Sequence, residues 1–423
     1  MRHVRVTFEI KIDTMKKLLL IYLTLVLMAS GTFGQGSKSY LTSKDIQKLV
    51  DSETNSWQLQ TYAVLFSKVG NYKTSLATQH LYLEKNKAAM NIPEKPKVDS
   101  INFKTFKPKN AVEVISKAAE RYKVVITNEA HYQPQNRVFT SLLLEKLYQQ
   151  GFRYLCVEDL SRDDTVFKSK EDKDLNNRKY PIKTSGYYMD EPQYGNLVRQ
   201  ALKLGYTLIA YEHYASEIKD PGERMMGREK GQAKNIAEIL QKDPNAKILV
   251  HCGYGHLNEN VIRDSIGQMA AMLKIHYQID PLTIDQQDML EENNDPYYRL
   301  TDVKETSVFV SENNFFSDPT DNHKVDMVVF FPKTKYVNGR PNWLVYDERK
   351  KYYFVKLEQN KFTYPIMISA FYKGEDISVA DPTDIIEIDN PNDKVALVLN
   401  TGQYILQIKD ATGNVLQQTV QVK

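Results

Sequence analysis

The sequence predicts an α/β protein: a mainly parallel sheet with helices on both faces, a small N-terminal helical cap before it and a C-terminal antiparallel β-sandwich after it. Three observations carry that expectation. Between about residues 110 and 280 a helical stretch leads into a short apolar run four times over. Each run is continuously apolar, as strands covered on both faces are. Each run also ends in ionisable residues, at the strand end where parallel sheets hold their ligands.

The N-terminal residues read as an address. Lys16-Lys17 precede the apolar run Leu18 to Ala29, and Ser30 to Gln35 supply small residues, the three regions of a secretory signal peptide over 1–35. The run is shorter than the roughly 20 residues that cross a membrane. Glu9 and Asp13 do not suit a signal, which makes Met15 the expected start. The mature chain is therefore expected to be periplasmic or secreted, with no integral span.

Residues 36–98 read as helical, with Gly70-Asn71-Tyr72 between two helices and Asn91 to Val98 as a linker. Trp57, Leu65, Gly70, Tyr72 and Leu76 echo one tetratricopeptide-type unit. A single unit cannot bury its own face and no second copy follows, so a helical cap is expected.

The central domain is expected over 99–346. Ala111 to Ala119 leads to Lys123–Thr127 and then Asn128-Glu129-Ala130-His131. Phe139 to Leu147, closed by Gly151, leads to Arg153–Val157 and then Glu158-Asp159. Tyr194 to Leu204, closed by Gly205, leads to Tyr206–Tyr211 and then Glu212-His213. Met225 to Leu240 leads to Lys247–Val250 and then His251 to His256. Thr306–Val310 and Val325–Phe331 read as further strands, and Asn338–Leu344 as a closing loop. Beyond 347, short β-type runs at 353–357, 365–370, 395–399, 404–408 and 415–422 suggest the sandwich, with Asp410–Asn414 as a hairpin turn. That segment holds no His and no Cys, so its deletion is expected to leave an active core.

Composition excludes several classes. Lys+Arg 56 against Asp+Glu 53 leaves a net charge of +3 with no like-charge block, which argues against a nucleic-acid reader. Cys156 and Cys252 are too few for a disulfide framework; they read as small hydrophobes, with one pairing between them as the lesser alternative. The sequence has no phosphate loop, no dinucleotide fingerprint and no nucleophile elbow.

Glu129, His131, Glu158, Glu212, His213, Arg228 and His256 instead bring acids, bases and a fixed cation to one expected cleft. A histidine beside a carboxylate can take a proton from water near neutral pH, because the carboxylate fixes its tautomer and stabilises the imidazolium. An arginine there can orient a carboxylate or stabilise an oxyanion. His and carboxylate also suit Zn, Mn or Co, and spacing alone does not choose between these chemistries. His251, directly after an apolar run, reads as a satisfied core histidine.

Four ordered elements resemble a superfamily. Thr127-Asn-Glu-Ala-His131 with Arg137, Gly151 to Glu158, Gly227-Arg228 to Ile236, and Cys252-Gly-Tyr-Gly-His256 are similar to the motifs shared by erythromycin esterases, ChaN-like haem-binding lipoproteins and TraB/TIKI proteins. The resemblance covers roughly 120–260, under half of the chain. It implies an ester, lactone or related acyl hydrolase in which His131 activates water, Glu129 and Glu158 orient or share protons, and His256 completes the pocket. Arg137, Glu212, His213 and Arg228 would then bind the small-molecule substrate. The TraB/TIKI relatives imply instead a metal-dependent peptidase or hydrolase with Glu129, His131 and His256 as ligands; the ChaN-like relatives imply a haem or small-ligand carrier. No cofactor is assigned. Asn128, Gln232 and Glu229 depart from the pattern's Gly, Met and Asp, which sets the chain apart from the macrolide-inactivating branch.

Overall fold

The computed structural model describes residues 41–90, 98–263, 266–293, 295–312, 314–317, 324–358 and 361–423. The expected signal peptide, the start at Met15 and most of the expected linker lie outside the described residues.

The central sheet contains β1 (Lys107–Asn110), β2 (Val124–Glu129), β3 (Phe152–Val157), β4 (Thr207–Ala210), β5 (Lys247–Gly253), β6 (Leu282–Asp285), β7 (Ser307–Ser311) and β8 (Met327–Phe330). Their order is β1-β7-β8-β6-β2-β5-β3-β4, with the short strand Asn314–Phe315 pairing beside β7. The six strands from β8 to β4 run parallel, and β7 is antiparallel to both of its neighbours.

Helices cover both faces. They are α4 (Ala111–Ala119), α5 (Pro134–Gln149), α6 (Pro192–Leu204), α7 (Pro221–Lys242) and α8 (Met269–Tyr277), numbered after three helices of the N-terminal cap. Strand side chains alternate between the faces. Val125, Leu155 and Leu249 pack under α4, α5 and α6, with Ile115, Phe139 and Leu197. Val124, Ile126, Ile248 and Val250 pack under α7 and α8, with Ile236 and Leu273. β2 and β5 are thus apolar on both sides, which is why their runs are continuous. The chain passes from β2 to β3 and β4 and returns to lay β5 between β2 and β3. That reversal opens a crevice at the carboxyl ends of β2, β5 and β3.

In the cap, α1 (Ser43–Ser52) is followed by α2 (Leu59–Lys68) and α3 (Tyr72–Met90). Gly70 between the last two has φ +76°, and a Cβ there would collide with the carbonyl oxygen of Ile385. The turn is therefore pressed against the C-terminal segment.

That segment forms separate antiparallel sheets. β10 (Ile366–Tyr372), β11 (Asp384–Ile388), β13 (Gly402–Asp410) and β14 (Val415–Val422) make four strands; β9 (Lys350–Tyr353) and β12 (Leu397–Asn400) make two. They share one apolar cluster that includes Ile368, Ile386, Leu399 and Leu406. The expected strand 353–357 starts earlier, at Lys350, and β11 was not expected, because Asp384 and Glu387 break its apolar run.

The segment is joined to the rest by buried ion pairs and apolar contacts. Arg340 pairs with Asp384 at 2.5 Å, both buried, and Arg199 forks onto Glu375 at 2.7 Å through two nitrogens. Trp343, Tyr72, Val138 and Val398 close a further apolar cluster across the junction. Removing 350–423 would strip both guanidiniums of their carboxylates and uncover the apolar surface that the segment packs on.

Cys156 and Cys252 are free and buried in the core, as the small-hydrophobe reading expects; the lesser alternative of a pairing is not realised.

Candidate active site

The site is assembled from strand ends. β2 ends at Glu129, β3 leads into Glu158, β4 into Glu212, and β5 into Gly253 and His256. All of these ends lie at one edge of the sheet because the strands are parallel. The side chains form two linked networks there.

The first centres on Glu129, which is 1 % exposed. Arg137 on α5 donates to it through Nε at 2.5 Å and Nη2 at 2.8 Å, and to Glu191 through Nη1 at 2.8 Å. His131 Nδ1 lies 2.9 Å from Glu129 Oε1, and His251 Nε2 lies 3.0 Å from Oε2. Burial alone would raise the Glu129 carboxyl, but the Arg137 guanidinium overrides it and holds the group well below the usual carboxylate range. With Glu129 ionised, His131 donates from Nδ1, which leaves Nε2 as its free basic position.

The His131 ring is clamped. Tyr188 stacks on it at 4.2 Å and Tyr254 meets it edge-on at 4.8 Å. Both aromatics are fixed from elsewhere. Asp159 accepts from the backbone N–H of Tyr187 and Tyr188, and the cap supplies Gln60 to the Tyr254 hydroxyl at 2.5 Å and Lys68 to the Tyr187 carbonyl at 2.7 Å. The cap therefore forms part of the wall around His131.

The second network centres on Arg228 of α7. Its Nη2 donates to Glu158 Oε1 at 2.6 Å and Glu212 Oε2 at 2.5 Å, and its Nη1 lies 2.9 Å from His256 Nε2. His256 Nδ1 lies 2.9 Å from Glu229 Oε2. Burial would raise the Glu158 carboxyl, but His256 and Arg228 together bring it well below the usual range. Burial works the other way on His256, yet Glu229 and Glu158 outweigh it and raise the ring to about 10, with Arg228 opposing. The contact from Arg228 to Nε2 is a hydrogen bond only in the neutral ring, since a guanidinium can only donate. Two carboxylates face the ring against one guanidinium, so the upward direction stands.

The networks meet in front of Gly253. A Cβ built on that residue would lie 3.0 Å from His131 Nε2 and 3.1 Å from Glu158 Oε2. Gly253 N–H also donates to Glu158 Oε2. That Cβ would also lie 2.5 Å from His131 Cε1, so the absence of a side chain at Gly253 is what lets the imidazole and the Glu158 carboxylate close in on the strand end. The side chains of His131, His256 and Glu158 remain 12 %, 11 % and 10 % exposed.

Of the expected residues, Glu129, His131, Glu158, Glu212, Arg228 and His256 come together. Arg137 is fully buried and bonded to Glu129 and Glu191, so it positions the site from behind. Glu212 is 3 % exposed and holds Arg228. His213 stands apart, with its ring packed over Gly231 of α7. His251 is fully buried and satisfied by Thr127, Thr140 and Glu129, as expected of a core histidine, yet it also props the Glu129 carboxylate. Glu191, Glu229, Tyr188 and Tyr254 were not expected. Glu229 does have a sequence signal: it follows Arg228 where the resembled pattern has an aspartate, and here it receives His256.

Among the described residues no group of three or more His, Cys, Asp or Glu is placed to hold a metal ion. Within the expected ligand set, Glu129 has both oxygens engaged by Arg137, His131 and His251, so it does not fit a metal ligand.

No family model matches the chain, and no curated protein does. Among solved structures, the type III effector HopBA1 is 12% identical, with 54% of this chain and 97% of that one covered and a TM-score of 0.33. The RRSP effector domain of a Vibrio vulnificus MARTX toxin is 13% identical over 67% of this chain and 54% of that one, with a TM-score of 0.29. The C-terminal region of Pasteurella multocida toxin, described with a thiol-protease-like catalytic triad, is 12% identical over 70% of this chain and 46% of that one, with a TM-score of 0.31. Scores this low carry no argument about function.

Proposed function

We propose that the protein hydrolyses an ester, lactone or related acyl bond with a water activated by His131 and Glu158. The observation that carries this reading is that His131 and Glu158 are both packed against Gly253, with His131 Nδ1 held by Glu129 at 2.9 Å and its ring partly exposed. His131 is a partly exposed base whose opposite nitrogen is held by an ionised carboxylate. General-base catalysis calls for a nitrogen fixed and open in this way. His131 Nε2 takes the proton as the water oxygen attacks the acyl carbon, and returns it to the leaving oxygen.

Arg228 and the protonated His256 are positioning groups that hold Glu158 ionised. Glu129 and Arg137 are positioning residues: they hold the His131 tautomer and never meet the substrate. The aromatic clamp of Tyr188 and Tyr254 limits the water that reaches the ring.

A panel of acyl esters and lactones, assayed on the whole protein with and without EDTA, tests the reading. Turnover that EDTA leaves unchanged is expected. Loss in EDTA that Mn or Zn restores would move the site to metal-dependent hydrolysis. A protein inert on the panel that binds haemin stoichiometrically would be a carrier.

A further inference from the structure

Two cavities of about 460 and 450 Å³ lie away from the strand-end cluster. The first, beside Tyr122 and Pro244, sits at the opposite edge of the sheet. The second lies where α5 and α6 meet the C-terminal sheets, a junction of the kind that often houses ligands, and its volume suits a small molecule.

Its charge is lopsided. Lys179, Arg199, Lys203, Arg349 and Lys350 line it against two carboxylates, Asp347 and Glu375. Those carboxylates are taken: Glu375 by Arg199 at 2.7 Å and Asp347 by Arg349 at 2.8 Å. Among the described residues, Lys179, Lys203 and Lys350 have no carboxylate at ion-pair distance. Lys350 is the informative one. It is half-buried, its ammonium donates to Gln193 Oε1 at 3.0 Å, and burial pushes its pKa down against the pull of Asp384 and Asp347. A cation withdrawn from water without a direct counter-ion is costly, and an anion in the cavity would relieve it.

The rest of the lining is mixed. Asn196, Gln200, Thr401 and Ser141 offer amides and hydroxyls, and Asn400 has a buried amide oxygen without a hydrogen-bond partner. Val138, Leu142 and the Tyr372 ring add apolar surface. Cations, amides and an aromatic face together match an anionic group carried on a polyhydroxylated ring.

We propose that this cavity is a second binding site, separate from the strand-end cleft, for a small anionic saccharide bearing a phosphate or carboxylate. Its wall is shared with the catalytic side. Val138, Ser141 and Leu142 lie on the helix that carries Arg137, and the Gln193 that meets Lys350 donates its N–H to Glu191, which holds Arg137.

Calorimetric titration of the whole protein with glucose 6-phosphate, glucuronate, inorganic phosphate and uncharged glucose tests the site. The two anionic saccharides should bind saturably, phosphate more weakly, and glucose not at all. Lys203→Glu, on the exposed rim, and Lys350→Met should each weaken binding at least about tenfold, about 1.4 kcal/mol. His131→Ala should leave it unchanged, which separates this site from the cleft and from the hydrolytic reading. Absence of binding by all three anions would overturn the proposal, as would binding that neither lysine variant alters. Phosphate binding as tightly as the saccharides would overturn the saccharide class.

Discussion

Replacing Glu129 by Gln should destabilise the protein far more than an ordinary surface change. The side chain keeps its shape and loses its charge, at a position 1 % exposed to solvent. Arg137, itself fully buried, then keeps Glu191 alone as a charged partner among the described residues. Removing one member of a buried ion pair typically costs about 3–5 kcal/mol. Because Glu191 still holds one nitrogen of the fork, the lower end, about 3 kcal/mol, is expected. That is a large share of the roughly 5–15 kcal/mol by which folded proteins are stable. Urea denaturation at neutral pH, followed by circular dichroism, measures it. The double variant Glu129→Gln with Arg137→Gln should cost less than the two single losses together, because no charge is left stranded. The sign with pH is also set. Glu129 is held below the usual carboxylate range, so its contribution is complete above an unfolded value near 4.5 and disappears as pH falls through the lowered folded value. The gap between wild type and variant should therefore narrow on acidification. A loss under about 1 kcal/mol at neutral pH, or a gap independent of pH, would refute the argument.

Asp381→Asn should stabilise the protein. Both Asp381 carboxylate oxygens are buried without a hydrogen-bond partner, and burial raises the group from 3.8 to about 7. Wild-type stability should then fall as pH rises from about 4 to 7 and level off, while the variant, lacking that penalty, gains between about 1 and 4 kcal/mol above neutrality; thermal melts across pH check it. Truncation at residue 346 should yield an unstable protein, read as lost thermal cooperativity, since Arg199 and Arg340 lose Glu375 and Asp384. Gly253→Ala should abolish turnover by pushing the His131 ring aside, because the added methyl would sit 2.5 Å from His131 Cε1; full activity in that variant would show that the ring's place against Gly253 is not needed.

The site was legible to the extent that strand direction determined it. Glu129, His131, Glu158, Glu212 and His256 each follow an apolar run, and parallel strands bring such positions to one edge whatever the sequence distance between them. Arg228 was legible through its motif on α7. Glu191 was hidden because a glutamate before Pro192 reads as an ordinary helix cap; it does cap α6, accepting from Gln193 and Tyr194, while also holding Arg137. Tyr188 and Tyr254 come from loops whose path no periodicity describes. His213 shares a strand end with Glu212, but that does not fix which way its side chain turns, and its ring lies against Gly231 of α7. The C-terminal segment looked self-contained because its strands alternate. Its attachment rests on single buried charges, Asp384 and Glu375, that look like loop polarity in a linear reading.

Turnover by His131→Ala beside wild type, with melting temperatures measured on the same preparations, tests the hydrolytic reading most directly. On any ester or lactone that the wild type cleaves, the rate should fall by about 10²–10⁴-fold, the usual loss with a general base. The melting temperature should stay nearly constant, since His131 is partly exposed and Glu129 keeps Arg137 and His251. A variant that cleaves as fast as wild type, or that loses activity only by unfolding, would contradict the assignment of His131 as the base.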